Sequence, residues 1–302
     1  MKITSYILFI FGKLKYKTLF RKNYNRVNSS DSFQCIISAA KHEAHKLEKA
    51  FFAGYFADPI KISYYDSVAR NLKRLLNLLR KKFPEKYGAD INWISNISDN
   101  YPNFDNFKSN NKGFMESASS SKILENKLLD YYHFYKGRRS SRKWMKSNNY
   151  NWVRIGDLLI NIAKWAPTSG NRQPWVFKSI ISSEDKNLFN GIKEKHALDA
   201  PLIILVGVNR DAYGILGRNE AGTLIDGAAA SMSIIDCCHY NGLQSCWNHF
   251  GFDLIYSRFK NYLAFQKIKK HFKFDESFIP ISIISIGFSS FINIPPERKE
   301  HL

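Results

Sequence analysis

Ala166-Pro167-Thr168-Ser169-Gly170-Asn171-Arg172-Gln173-Pro174-Trp175 is the stretch on which the reading of the chain turns. An amphipathic helical pattern from about Val153 to Trp165 stops at Pro167, since proline has no N–H to donate and disfavours helix in the residue before it. A run with strand composition, Trp175 to Ile181, follows. Two prolines and Gly170 fix the path between them, leaving Ser169, Asn171, Arg172 and Gln173 as polar tips. Such a loop suits a flat heterocycle that needs rigid donors and acceptors in its plane; it also suits an ordinary helix-to-strand connection.

Downstream, strands and helices alternate. Leu202 to Val208 is short, apolar and β-branched. A long helix is expected over Thr223 to Asn241, stopped by Gly242 as a left-handed C-cap. A strand at Leu243 to Trp247, a further helical stretch and a last strand at Ile281 to Phe288 complete the series. Strands separated by helices imply a central sheet with helices around it, in an α+β or α/β arrangement.

Upstream the chain reads as helical and basic. Asp31 and Ser32 are good N-caps. Phe33, Ile36, Ile37, Ala40, Ala44, Leu47 and Phe51 then recur at helical steps and form one apolar face. A second helix over Tyr64 to Phe83 turns Val68, Leu72, Leu75, Leu76 and Leu79 inward and carries Arg70, Lys73, Arg74, Arg80, Lys81 and Lys82 outside, a run that solvent alone accommodates. Residues 95–121 are rich in Asn and Ser and read as a linker or surface loop. Helix resumes over Lys122 to Tyr135. The division expected is a basic helical region over 1–120, with its linker, and a second domain over 121–302.

Composition narrows the classes. With 302 residues and 44% apolar side chains the chain can bury a substantial core. A formal charge of +19 favours anionic partners. The cysteines, Cys35, Cys237, Cys238 and Cys246, include no Cys-x-x-Cys pair, which fits reduced thiols and a cytoplasmic setting. No apolar run reaches the roughly 18 residues of a membrane-spanning helix. The apolar Tyr6-Ile7-Leu8-Phe9-Ile10-Phe11, followed by Lys13, Lys15, Lys17, Arg21 and Lys22, is read as a helix packed on its own protein or a frayed terminus, with a peripheral position on a membrane as the alternative. No Gly-x-Gly-x-x-Gly, P-loop, zinc-finger or RNA-binding signature is present, so no specific nucleic acid is expected.

Arg138-Arg139-Ser140-Ser141-Arg142 is the second informative cluster. Guanidinium forks suit phosphate, and a serine hydroxyl adds a donor; a basic surface turn has the same composition. Taken in order, Arg138-x-Ser140-x-Arg142, the loop at 166–175, Asp199-Ala200-Pro201, the small-residue run Asp226-Gly227-Ala228-Ala229-Ala230, Gly242-Leu243-Gln244-Ser245-Cys246-Trp247, Ile286-Gly287-Phe288 and a late Arg298 resemble the nitroreductase family. The resemblance covers about residues 132–302. The added N-terminal region, with His45-Lys46-Leu47-Glu48-Lys49-Ala50, resembles a subgroup found beside polysaccharide biosynthesis genes.

The resemblance implies an α+β homodimer that binds FMN and takes hydride from NAD(P)H. It implies phosphate contacts from Arg138, Ser140, Arg142 and Arg298, with Arg139 beside them. It implies flavin contacts from Ser169, Asn171 and Gln173, and from Trp247, Asn248 and His249, where a backbone N–H would face flavin N5. Reduced flavin gathers negative charge near N1 and O2, which Arg142 or Arg172 would stabilise. Arg172, Arg218 and Glu220 stand as tentative substrate contacts.

The acceptor class implied is a quinone or nitro compound. The alternatives are a specialised redox step on a polysaccharide or nucleotide-linked intermediate, and a noncatalytic basic module on an anionic glycan or membrane. His42, His45 and Glu48 share a helix face, but as a polar cluster rather than a metal site; no metal is expected. Cys237 and Cys238 are read as buried thiols, and His249 as structural or as a proton donor.

Overall fold

Residues 27, 31–52, 59–86, 88–101, 125–146, 149–213, 220–250 and 259–290 are described by the computed structural model. They form two compact units that interleave along the chain. The first takes Met1–Ser117, Thr168–Pro174 and Arg210–Gly222, and the second Ala118–Pro167, Trp175–Asn209 and Thr223–Leu302.

The first unit is built on helices α1 (Phe33–Phe52), α2 (Pro59–Lys82) and α3 (Ala89–Asn100). The Ser32 hydroxyl accepts the Cys35 N–H at 3.2 Å, the N-cap bond expected of it. Ile36, Ile37, Ala40, Ala44 and Leu47 of α1 pack with Leu72, Leu75, Leu76 and Leu79 of α2. Helix α3 corrects the sequence reading, which placed a linker from residue 95. Its Asn and Ser residues lie between Ile91, Ile94 and Ile97, whose helical spacing buries them in the same core and carries the helix to Asn100. The remainder of the expected linker, and the apolar and basic stretch before residue 27, lie outside the described residues.

The second unit has one antiparallel sheet of β1 (Trp175–Ile180), β2 (Leu202–Asn209), β3 (Gln244–His249) and β4 (Phe278–Gly287), in the order β1-β2-β4-β3. Around it lie α4 (Glu125–Gly137), α5 (Trp152–Ala163), α6 (Ser183–Asn187), α7 (Lys195–Leu198), α8 (Glu220–Tyr240) and α9 (Phe259–Phe272). Every residue of β2 is buried. Side chains alternate across a strand, so the sheet needs cover on both faces. Leu202, Ile204 and Val206, with Ile284 and Ile286, meet Trp152 and Leu159 of α5 and Ala230, Ile234 and Cys238 of α8. Ile203, Leu205 and Ile283 meet Phe189, Ala197, Leu198, Phe265 and Ile268. The result is an α+β fold with a helical N-terminal region.

Helix α8 ends as its sequence requires. Gly242 has φ +73°, and Leu243 N–H reaches back to the Cys238 carbonyl at 2.8 Å. No described helix is long and apolar enough to cross a membrane.

Gly207 sits where the β2–β4 register slips. A Cβ there would collide with the Phe278 ring and come within 2.8 Å of the Ile279 carbonyl oxygen. Gly207→Ala is therefore expected to lower unfolding free energy by about 1–3 kcal/mol, the usual cost of overpacking. Urea titration followed by far-UV circular dichroism checks it, with Gly191→Ala, which meets nothing within 4 Å but carries a positive φ, as a backbone-strain comparison.

Candidate functional site

In the second unit, the Arg138–Arg142 segment leaves α4 and runs along the free edge of β3. Ser140 bridges Ser245 in parallel register, and Ser141 N–H donates to the Ser245 carbonyl at 3.0 Å. The Ser141 hydroxyl donates to Gln244 Oε1 at 3.3 Å, and further on Met145 N–H meets the Phe288 carbonyl at 2.8 Å. The bonds to Ser245 and Gln244 cover the start of β3's open edge and fix where the segment stands. Arg142 is exposed; Arg138, Arg139 and Ser140 are half-buried. Arg139 donates to the Arg138 carbonyl through one terminal nitrogen, while its Nε is buried with no hydrogen-bond partner among the described residues.

The same edge carries the residues that follow β3's start. Burial raises the Cys246 thiol pKa, and Arg142 and Arg138 act against that rise, which puts both guanidinium groups within electrostatic reach of Cys246. Asn248 is fixed by two donations, to the Cys246 carbonyl at 3.0 Å and to Ser285 Oγ at 3.1 Å. Trp247 is 39% exposed. The His249 carbonyl accepts from Lys193. Motifs a hundred positions apart in sequence, the arginine cluster and Trp247–His249, thus share one sheet edge.

Three residues at this edge escaped the sequence reading. Lys193 holds the end of β3. Glu194 acts on Cys246 and pairs with His196 Nδ1 at 3.0 Å. His196 Nε2 is buried with no hydrogen-bond partner among the described residues, and the His196 carbonyl accepts from Trp144 Nε1 at 2.7 Å. Helix α7 spans only Lys195–Leu198, too short to leave a periodic signal.

The loop expected to carry Ser169, Asn171 and Gln173 belongs to the first unit. Gly170, Asn171 and Gln173 all have φ between +50° and +60°, a strained setting for the two non-glycine residues. The strain is held by local bonds. Gln173 N–H donates to Thr168 Oγ1 at 3.2 Å, and Gln173 Nε2 to Asn171 Oδ1 at 2.9 Å. From α1, Lys41, only 3% exposed, donates to Gln173 Oε1 at 2.9 Å and pairs with Asp90 at 2.8 Å. Arg172 is buried, donating to Ser169 Oγ at 3.0 Å with its guanidinium 5.7 Å from the Tyr213 ring centre. Glu220 opens α8; Arg218 and Arg298 lie outside the described residues.

His42 lies against Gly170, where a Cβ would strike its ring. It neighbours Glu43, whose carboxyl also accepts from Lys46 at 2.8 Å. His45 pairs instead with Glu48 at 3.3 Å. No group of three or more His, Cys, Asp or Glu residues is placed to hold a metal among the described residues.

No protein-family model and no curated protein matches the chain. Among solved structures it is similar to a nitroreductase-like protein from Streptococcus mutans, at 18% identity over 57% of this chain and 95% of that one, with a TM-score of 0.46. It is also similar to an FMN-dependent nitroreductase from Clostridium difficile R20291, at 25% identity over 54% and 90%, with a TM-score of 0.44. A nitroreductase family protein from Streptococcus pneumoniae TIGR4 gives 16% identity over 56% and 96%, with a TM-score of 0.45.

The His42–Glu43 pair makes the first unit acid-sensitive. Burial, the largest influence, lowers the His42 pKa from its ordinary 6.5, so the unfolded chain takes up a proton that the folded one resists. Burial pushes the Glu43 carboxyl up, but the nearby His42, at 3.8 Å, and the bond from Lys46 outweigh it and leave its pKa below 4.5. Both signs agree: the unfolded state binds more protons, so stability falls as pH drops. Thermal midpoints should fall from pH 7.5 towards pH 4, beginning below 6.5. A His42→Gln variant should flatten the first part of that fall; an unchanged profile would exclude His42 as the cause.

Proposed function

We propose that the chain is an FMN-dependent oxidoreductase whose flavin phosphate is held by Arg138, Ser140 and Arg142 beside β3. The observation that carries this reading is the pairing of the Arg138–Arg142 segment with Ser245. It sets the arginine segment beside the start of β3, with Arg138 and Arg142 within electrostatic reach of Cys246, the residue before Trp247. A phosphate monoester needs several charge-assisted donors at fixed positions, and the adjoining Arg139, whose buried Nε has no hydrogen-bond partner among the described residues, would add a further donor to the three. A basic surface turn would need neither the bridge nor the burial.

Bound FMN would supply hydride transfer between NAD(P)H and an organic acceptor, of the quinone or nitro class. The chain's part is to bind and orient. Arg138 and Arg142 anchor the charged end. The Asn248 bonds to Cys246 and Ser285 hold the end of β3 in place, so that this strand end would meet a ring in one orientation. Trp247 offers an exposed aromatic surface on which a planar ring can rest.

The protein as isolated should absorb in the flavin region, with bleaching by NADH or NADPH. Replacing both Arg138 and Arg142 by Ala should release the cofactor, because each charge-assisted phosphate contact contributes about 1.5–3 kcal/mol. Unchanged flavin content in the double variant would exclude this phosphate site.

We further propose a homodimer through α8 and the outer face of α5. Leu158, Ile162 and Trp165 are exposed at helical steps, Trp165 by 85%, and Ile225 of α8 is exposed as well. An apolar stripe of this kind marks an interaction surface. Light scattering should give twice the chain mass, and Trp165→Glu with Ile162→Glu should give the monomer. A monomeric parent protein would refute it.

A further inference from the structure

A cavity of about 500 Å³ lies in the second unit between α6, the turn at Asn190–Lys193 and α7. Its lining includes Lys186, Lys193, Lys195, Asn187, Asn190 and Asp199. Three lysines and one aspartate thus line a space of small-molecule size, with the Glu194 carboxylate acting on Lys193 from beside it.

Two of the lysines are held by neutral acceptors. Lys186 Nζ donates to the Ala200 carbonyl at 2.6 Å and to the Pro201 carbonyl at 3.3 Å. Lys193 Nζ donates to the His249 carbonyl and stands 4.0 Å from the centre of the Phe250 ring. Carbonyls and a ring face position an ammonium without cancelling its charge, and each ammonium has three N–H donors. Asn187 and Asn190, bonded to each other at 3.3 Å, add amide groups. Burial depresses both lysines, Lys193 to about 8, with Glu194 and Asp199 respectively as the acids that oppose the shift on Lys193 and Lys186. Excess positive charge of this kind, partly desolvated, is relieved by a bound anion.

We propose that this cavity is a binding site for a small phosphate-bearing anion, separate from the arginine cluster. Point-charge lysines, rather than guanidinium forks, suit a compact phosphate that is gripped from several sides. Through Lys193 the occupant would also touch the residue that steadies the end of β3. The proposal does not depend on the flavin reading, since none of the lysines belongs to that cluster.

The test is calorimetric titration of the full chain with sodium pyrophosphate at constant ionic strength. The parent protein, Lys193→Ala/Lys195→Ala and Arg138→Ala/Arg142→Ala are compared. The lysine pair should weaken binding about tenfold or more, and the arginine pair by less than about threefold. If the lysine pair does not fold, Lys195→Glu alone carries the test, because that side chain is exposed, and it should also weaken binding. Absence of binding by the parent protein, loss confined to the arginine pair, equal binding by the lysine variants, or the same heat from sodium chloride would each overturn the proposal.

Discussion

Strands β2 and β4 have almost no residue facing water, and the second unit is arranged around that fact. A strand buried on both faces cannot stand until each face has its own layer of side chains. One layer comes from α5 and α8, the other from α7, α9 and the turn around Phe189. The inner pair also leaves polar groups that must be matched inside. Ser231 Oγ meets Ser282 Oγ at 2.9 Å, and Ser285 Oγ donates to the Ala197 carbonyl at 2.8 Å while accepting from Asn248. That last chain of bonds runs from α7 through β4 to β3. The sheet's need for cover therefore also places the residues of the candidate site.

Electrostatics follows from the same placement. β3 is an edge strand, and the start of its open side, at Ser245, is bridged by the segment that carries the arginines. Position is set by backbone bonds, which cost the arginines none of their side-chain donors. In the first unit the opposite solution appears: Lys41, Arg172 and Glu43 are buried and committed to partners inside the unit. Charges of the first kind can receive a ligand; those of the second hold a strained loop in place.

What could be read in advance follows the same division. The strands, α1, α2, α5 and α8 announce themselves by apolar periodicity and by Gly242 and Pro167. The stop of α8 and the cap at Ser32 were legible because each is a local bond. Helix α3 was hidden by polar residues between Ile91, Ile94 and Ile97, whose burial depends on two other helices. Lys41 and Glu43 lie off the apolar face that the periodicity of α1 picks out, yet both are buried. They are buried because the segments around 168–174 and 210–213, remote in sequence, belong to the same unit. The arginine cluster and the strand after Gly242 were each visible. Their adjacency was not, since it rests on the bridge between Ser140 and Ser245.

The central claim is that the arginine segment beside β3 receives a phosphate attached to a flavin. Fluorescence-quenching titrations of the flavin-free protein with FMN and with riboflavin test it most directly, because the two ligands share a ring and differ in the phosphate. One FMN per chain is expected, bound at least about tenfold more tightly than riboflavin, the consequence of losing charge-assisted contacts of roughly 1.5–3 kcal/mol each. Equal affinity for the two, or binding of neither, would contradict it.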